Sequence, residues 1–285
     1  MNLRALLAAA MAGVIAAGLA WVIASRSDGR LHVIVLNTSS SPAVLIRTDD
    51  GSTVLVDGGA SPAQLLAALG RVLPPATTRL DMVVVTGGER AAVNGLGGLP
   101  GHYSVGMVVT QGVLNPGGNA IVGALESQGA DVLEAGGGAW SFGGARWRCL
   151  GFIALATARQ MCALTVHDST GRLLVLGDTG TADQETLCAV YGSALAADLL
   201  VTPPGGAVSP LLLATARPLE LAVPIVQGSP AAPAPQGYPI DRTSTDGDLS
   251  YTGGSSGLRP GTCAGGSVMP GVRLAILHRW PRVRR

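Results

Sequence analysis

The chain has 285 residues, of which 47 % are hydrophobic and only 4 % aromatic, and its formal net charge is +1. This length allows one large layered domain with short appendages, and the apolar content excludes disorder as the general state of the chain. The 19 basic residues are all arginine and nearly balance the 18 acidic residues, which excludes a globally basic nucleic-acid-binding protein. With so few aromatic residues, the core must be built from alanine, valine and leucine.

The N-terminal residues 1–30 predict a membrane segment. Residues 5–24 carry no charge, with Arg4 before them and Arg26 after them. A helix of this length spans about 30 Å, the thickness of the hydrocarbon layer. We favour one uncleaved transmembrane helix, since the run is longer than the usual signal-peptide core; the alternative is a cleaved signal peptide. Either way we expect a cell-membrane protein, with its globular part on the extracytoplasmic side.

From residue 31 onwards, short apolar runs alternate with turn signals, which is typical of a domain built on β-sheets. Helices are predicted from Ser61, with Pro62 at the first helical position, and over residues 120–128. Strands are predicted at residues 32–36, 43–47, 52–56, 82–85, 107–109, 131–133, 146–150, 162–166 and 173–176.

Strands in runs with interspersed helices predict an α+β protein, specifically a four-layer αββα sandwich of two sheets faced by helices over residues 31–225. Residues 226–285 are rich in proline, glycine and serine until the arginine-rich C-terminus. This composition predicts a loosely packed extension with an edge hairpin around residues 245–248.

Several segments together indicate a family. The sequence AVLI at residues 43–46 leads through a hairpin into LVDGG at residues 55–59, and the strand at residues 80–85 ends in Thr86. In these segments the chain resembles the metallo-β-lactamase-like domain of the ComEC family of competence DNA-internalisation channel proteins, over about residues 31–257. The resemblance implies the αββα sandwich, a metal site at the strand ends and a link to DNA uptake.

The residues that hold the metal in that family are replaced in this chain. The family's T-H-x-H-x-D-H loop corresponds to residues 86–92, and its later V-P-H-H-G-S loop corresponds to residues 202–207. The substituted ligand positions are Gly87, Glu89, Ala91 and Ala92 in the first loop and Pro204 and Gly205 in the second. Glycine, alanine and proline side chains carry no atom that can bind a metal ion.

Two further acids stand at strand ends. Asp57 precedes two glycines, and Asp178 matches the bridging metal-ligand aspartate of the family. Together with Glu89 they could form at most a weak, oxygen-only site suited to magnesium or calcium. The alternative is that both aspartates cap their own turns. We therefore expect a vestigial site with no catalytic residue, no bound metal and no cofactor.

The cysteines give no metal-binding pattern, since Cys149, Cys162, Cys188 and Cys263 lack C-x-x-C spacing. Cys149 and Cys162 flank a predicted strand pair. They form either a disulfide, if the domain lies outside the cytoplasm, or two buried thiols.

These features predict a membrane-tethered, metal-free and non-catalytic domain with a role in binding or assembly, with another membrane protein as partner. One alternative is a residual metal-dependent hydrolase or phosphodiesterase that uses an atypical carboxylate site. Another is a nucleic-acid-binding accessory of DNA uptake, which only the family analogy supports.

Overall fold

The computed structural model describes residues 27–38, 42–112, 114–154, 160–225, 232–233 and 235–261. The predicted membrane segment, the arginine-rich C-terminus and Cys263 lie outside these ranges. Among the described residues, no helix is both long enough and apolar enough to cross a bilayer.

The described residues form two β-sheets with helices on their outer faces. The strands are β1 (His32–Leu36), β2 (Ala43–Arg47), β3 (Thr53–Val56), β4 (Arg79–Val85), β5 (Ser104–Thr110), β6 (Asp131–Glu134), β7 (Ala139–Phe142), β8 (Ala145–Ile153), β9 (Gln160–His167), β10 (Arg172–Val175), β11 (Leu199–Val201), β12 (Glu220–Val223), β13 (Ile240–Arg242), β14 (Leu249–Thr252) and β15 (Arg259–Pro260). The helices are α1 (Pro62–Val72), α2 (Arg90–Val93), α3 (Pro116–Ser127), α4 (Thr181–Tyr191), α5 (Pro210–Ala216) and α6 (Thr243–Asp246), with 3₁₀ helices at Asn94–Gly98 and Gly192–Leu195.

The first sheet has the strand order β15-β14-β1-β2-β3-β4-β5-β6, and the second has the order β13-β12-β11-β10-β9-β8-β7. Side chains from both sheets fill the space between them, with Trp147 and Tyr251 as the largest. The outer face of the first sheet packs against α1 and α3, and that of the second against α4 and α5. The mixed two-sheet sandwich predicted from the sequence is therefore confirmed, and all nine predicted strands are present with modest shifts at their ends.

Local sequence signals explain where the first helices begin. The Ser61 side chain accepts a hydrogen bond from the Gln64 N–H at 3.4 Å, and Pro62 follows it at the first helical position, as predicted. Helix α3 begins at Pro116 rather than at residue 120. The reason is an N-cap, because Asn115 Oδ1 accepts from the Gly118 N–H at 2.9 Å.

The prediction that the sandwich ends near residue 225 is wrong. Strand β13 extends the second sheet beside β12, and β14 pairs with β1 in the first sheet. The predicted edge hairpin is instead the short helix α6, which connects strands of different sheets. Tyr251 is fully buried and donates a hydrogen bond to Asp241 Oδ2 at 2.8 Å. The described part of the C-terminal region, residues 235–261, therefore belongs to the domain.

Candidate functional site

The candidate site lies where strands of both sheets end at one edge of the sandwich. Strands β3 and β4 run parallel in the first sheet, as do β10 and β11 in the second, so the loops that follow them lie at their carboxyl ends. A cavity of about 290 Å³ opens at this edge. Its lining includes Glu89, Met161, Asp178, Thr179, Asp183 and Pro204.

The structure brings together three of the eight predicted site positions, because Glu89, Asp178 and Pro204 all line this cavity. Asp57, Gly87, Ala92 and Gly205 are not part of its lining, and Ala91 lies in α2, where its side chain is not described. The lining residues that were not among the predicted site positions include Met161, Thr179 and Asp183. Only Asp183 gave a sequence signal, an acid in the first turn of a helix.

Asp57 is buried at the end of β3, which it links to the loop after β4. Its Oδ1 accepts the Thr86 N–H at 2.9 Å, and its Oδ2 accepts the Thr86 hydroxyl at 2.6 Å. Burial raises the pKa of this carboxyl to about 7, and the hydrogen bonds from Thr86 lower it by less. Both oxygens bond to Thr86, 29 residues further along the chain, so Asp57 connects two loops and does not cap its own turn as the alternative expected, and it is poorly placed to bind a metal.

Glycines allow close backbone contact between the loop after β3 and residues 92–95. The Gly58 N–H donates to Ala92 O and the Gly95 N–H to Gly59 O, both at 2.7 Å. A Cβ atom on Gly95 would lie 1.8 Å from Gly58 O, which no side chain can satisfy without moving the backbone. The loop after β3 and residues 92–95 are therefore in close backbone contact, which glycine at position 95 makes possible.

Met161 lies beside the first substituted position. Gly87 and Met161 form an isolated antiparallel bridge, and a Cβ atom on Gly87 would lie 3.2 Å from Met161 Cε. The Met161 side chain is buried, with 3 % of its surface exposed. A histidine at position 87 would thus have to displace this thioether before it could point to a metal.

The second substituted loop also offers no ligand. The Gly206 N–H donates to Pro203 O at 3.0 Å, and the Gly205 N–H donates to Pro224 O at 2.9 Å. The buried Gln184 side chain also holds this loop, because its Nε2 donates a hydrogen bond to Ala207 O at 2.9 Å. Backbone hydrogen bonds and Gln184 thus hold this loop in place.

The acids around the cavity do not converge. Asp178 is exposed and Glu89 half-buried, whereas Asp183 is buried and its Oδ2 accepts the Gly180 N–H at 3.1 Å, which caps α4. The Thr179 hydroxyl is buried without a hydrogen-bond partner. Among the described residues, no group of three or more histidine, cysteine, aspartate or glutamate side chains is placed to hold a metal ion. The side chains present therefore do not fit the metal that the fold suggests.

The described histidines lie elsewhere in the fold. His32 bonds to Asp28 at 2.9 Å, and neither His102 nor His167 lines the cavity. His167 ends β9 at the opposite end from Met161, and burial, followed by the positive charge of Arg172, lowers its pKa. No described histidine therefore replaces the missing ligands.

Cys149 and Cys162 form a disulfide, which decides between the two alternatives left open by the sequence. Their Cα atoms are 5.4 Å apart on the neighbouring strands β8 and β9. Cys188 is a buried free thiol.

No protein-family model and no curated protein sequence matches the chain. Solved structures do match it. The metallo-β-lactamase-fold protein YhfI from Bacillus subtilis is 13 % identical, with a TM-score of 0.51, over 74 % of this chain and 96 % of that one. A diphosphatase from the PhnP family is 14 % identical, with a TM-score of 0.50, over 79 % of this chain and 98 % of that one. At such low identity these matches establish the architecture and nothing finer: this chain has the metallo-β-lactamase fold.

Proposed function

We propose that this protein is a membrane-tethered domain of the metallo-β-lactamase fold that has lost its metal and its catalysis and serves in binding or assembly. One observation carries the proposal: the strand-end edge keeps its framework, while most of its ligand positions hold side chains without donor atoms, Glu89 and Asp178 being the exceptions. Zinc sites in catalytic proteins use about three protein ligands per ion. Here Gly87, Ala92 and Pro204 offer none, and Met161 lies against the first of these positions.

Replacement of the metal by another catalytic device has no support at this edge. Among the described residues that line the cavity there is no histidine, cysteine or serine, and the Thr179 hydroxyl has no base hydrogen-bonded to it. What remains is a cavity with an apolar part, formed by residues such as Met161 and Pro204, and an acidic rim. A surface of this kind is better suited to binding a ligand or partner than to catalysing a reaction.

The proposal is tested by metal analysis of the purified full-length protein. We expect well under one equivalent of zinc or manganese, and added metal should leave the melting temperature unchanged. Any residual phosphodiesterase activity should be equal in the wild type and in Asp178→Ala. Stoichiometric metal that is lost together with activity in Asp178→Ala would overturn the proposal.

A residual carboxylate-only hydrolase is the second candidate, because Glu89, Asp178 and Asp183 line one cavity. Oxygen ligands favour magnesium, calcium or manganese. If this candidate is right, millimolar concentrations of one of these ions should raise the melting temperature of the wild type. Asp178→Ala should abolish the rise, whereas Asp131→Ala, on the exposed strand β6, should preserve it.

Membrane attachment on the extracytoplasmic side is part of the proposal. The uncharged run at residues 5–24 supports the anchor, and the Cys149–Cys162 disulfide supports an oxidising compartment, where such bonds persist. Carbonate extraction of cells that express the chain should leave it in the membrane pellet, bound to its own anchor. Release of a shortened soluble product would instead identify residues 1–30 as a cleaved signal peptide.

We place the link to DNA uptake in assembly with a membrane partner rather than in DNA contact at this cavity. Glu89, Asp178 and Asp183 bring negative charge to its lining, which repels phosphate groups. Fluorescence anisotropy with single-stranded and duplex DNA should show no binding at physiological salt. Salt-dependent binding that Asp178→Asn strengthens would locate a nucleic-acid site at this edge instead.

A further inference from the structure

The edge of the sandwich at the candidate site is closed by a direct backbone tie between the two sheets. The Cys162 N–H donates to Thr86 O at 2.8 Å, and the next residue, Gly87, bridges to Met161. Thr86 and Gly87 follow β4 of the first sheet, whereas Met161 and Cys162 belong to β9 of the second. The two sheets are thus joined where the fold places its metal-binding loops.

The disulfide includes Cys162, the residue whose N–H makes this hydrogen bond between the sheets. Cys162 is bonded to Cys149 of β8, and the Cys149 Sγ atom contacts Gln111 Oε1. Gln111 is buried and follows β5, so it belongs to the first sheet. Both cysteines therefore contact residues that follow strands of the first sheet, Cys162 through its backbone amide and Cys149 through its sulfur, although the disulfide itself joins two strands of the second sheet.

Strand ends without a cross-link open locally at low free-energy cost. A bound metal prevents this by fixing side chains from several loops at once. At this edge Gly87, Ala92 and Pro204 have no side-chain atom that can bind a metal. The disulfide begins one residue after Met161, the bridge partner of Gly87. We propose that the Cys149–Cys162 disulfide, which joins β8 and β9 within the second sheet, is a structural clamp: it fixes the two residues that contact Thr86 and Gln111 of the first sheet and so keeps the strand-end edge closed where no metal does.

The clamp is permanent in the folded protein. Cys149 and Cys162 are 2 % and 1 % exposed, so an external thiolate cannot reach either sulfur without local opening. The bond must form during folding: the two thiols give up two electrons and two protons, and a disulfide donor of the compartment is reduced to a dithiol. This inference goes beyond the proposed function, because a domain of any function would need its edge held closed.

Hydrogen exchange of the full-length protein tests the clamp. The reporter is the amide of residue 162, which donates to Thr86 O, and the reference is the amide of Leu45 in the central strand β2. In the wild type both should exchange within about threefold of each other. In Cys149→Ala/Cys162→Ala we expect residue 162 to exchange at least tenfold faster than Leu45. The matched control Cys188→Ala removes a buried thiol away from the edge and should keep the wild-type ratio.

The outcomes separate the two proposals. If both amides accelerate equally in the double variant, the disulfide stabilises the whole domain without clamping the edge, and the inference is overturned. If a chelator added to the wild type raises the ratio by itself, a metal holds the edge, and it is the proposed function that fails.

A second measurement applies if the double variant does not fold. A water-soluble phosphine reaches the buried disulfide only during local opening; over a long incubation it reduces the bond to two thiols and becomes the phosphine oxide with oxygen from water, and mass spectrometry verifies the reduction before the readout. Peroxide should then oxidise Met161, buried at the edge, at least tenfold faster than before reduction, while Met82 in the core between the sheets remains protected. Equal protection of Met161 before and after reduction contradicts the clamp.

Discussion

Asp57 is a buried acid that connects two loops of the first sheet. Its backbone lies in the left-handed region, with φ of 55°, which aspartate and asparagine tolerate better than other side chains. This conformation directs the carboxylate to Thr86, and the Asp57 N–H bonds to Val84 O at 2.8 Å. The aspartate therefore contributes to structure whether or not a metal binds nearby.

The pKa of Asp57 predicts a pH-dependent stability. Burial raises it from 3.8 to about 7, so between these pH values the folded state keeps a proton that the unfolded state has lost. The free energy of unfolding should therefore fall as pH rises through this window, by roughly 2–3 kcal/mol between pH 5 and pH 8. Asp57→Asn keeps the size of the side chain and should remove this part of the pH dependence in urea unfolding. Parallel pH profiles of the two proteins would contradict the assignment.

Gly95 is a second residue whose identity the geometry requires. Since a Cβ atom would meet the Gly58 carbonyl at 1.8 Å, Gly95→Ala should lower the free energy of unfolding by about 3 kcal/mol or more. Gly70 is the matched control, because it lies in α1 with open space around its Cα. Gly70→Ala should raise the stability by roughly 0.5–1 kcal/mol. Chemical denaturation of both variants tests this prediction. It is contradicted if both substitutions change the free energy of unfolding in the same direction.

At the scale of elements, helix α3 is connected to the first substituted loop through its cap. Asn115 caps the helix, and its Nδ2 also donates to Gly88 O. Asn115→Ala should therefore lower the free energy of unfolding by about 1–2 kcal/mol, whereas Ser61→Ala, which removes a longer 3.4 Å bond at α1, should cost roughly 0.5–1 kcal/mol. Thermal unfolding of the two variants checks this order, and a larger loss in Ser61→Ala would refute it.

At the scale of the whole molecule, the C-terminal strands complete the sandwich. A chain that stops at residue 225 lacks β14, which leaves β1 as an unpaired edge and removes Tyr251 from the core. Exposed apolar edge strands promote aggregation. We expect such a chain to lose cooperative unfolding in circular dichroism, whereas one that stops at residue 261 should unfold as the full chain does. Cooperative unfolding of the shorter chain would mean that the sequence-based boundary near residue 225 was right.

Much of the fold could be predicted because its signals are local. Strands such as β1 and β2 are short apolar runs between turns, and α1 carries its own cap and proline. Strands β11 and β12 were not predicted, since three or four consecutive buried residues have no distinctive period. Helix α4 was not predicted either, because few of its residues form an apolar face.

The sequence by itself determined features that are local: motifs such as LVDGG are contiguous, and a glycine or alanine lacks a donor atom in any conformation. Only the tertiary structure decided what surrounds those positions. Met161 is 74 residues after Gly87, and Cys149 reaches Gln111 across two sheets, so no local pattern records either contact. The strand order likewise placed β14 beside β1, since pairing between distant segments depends on the register and burial of both strands together.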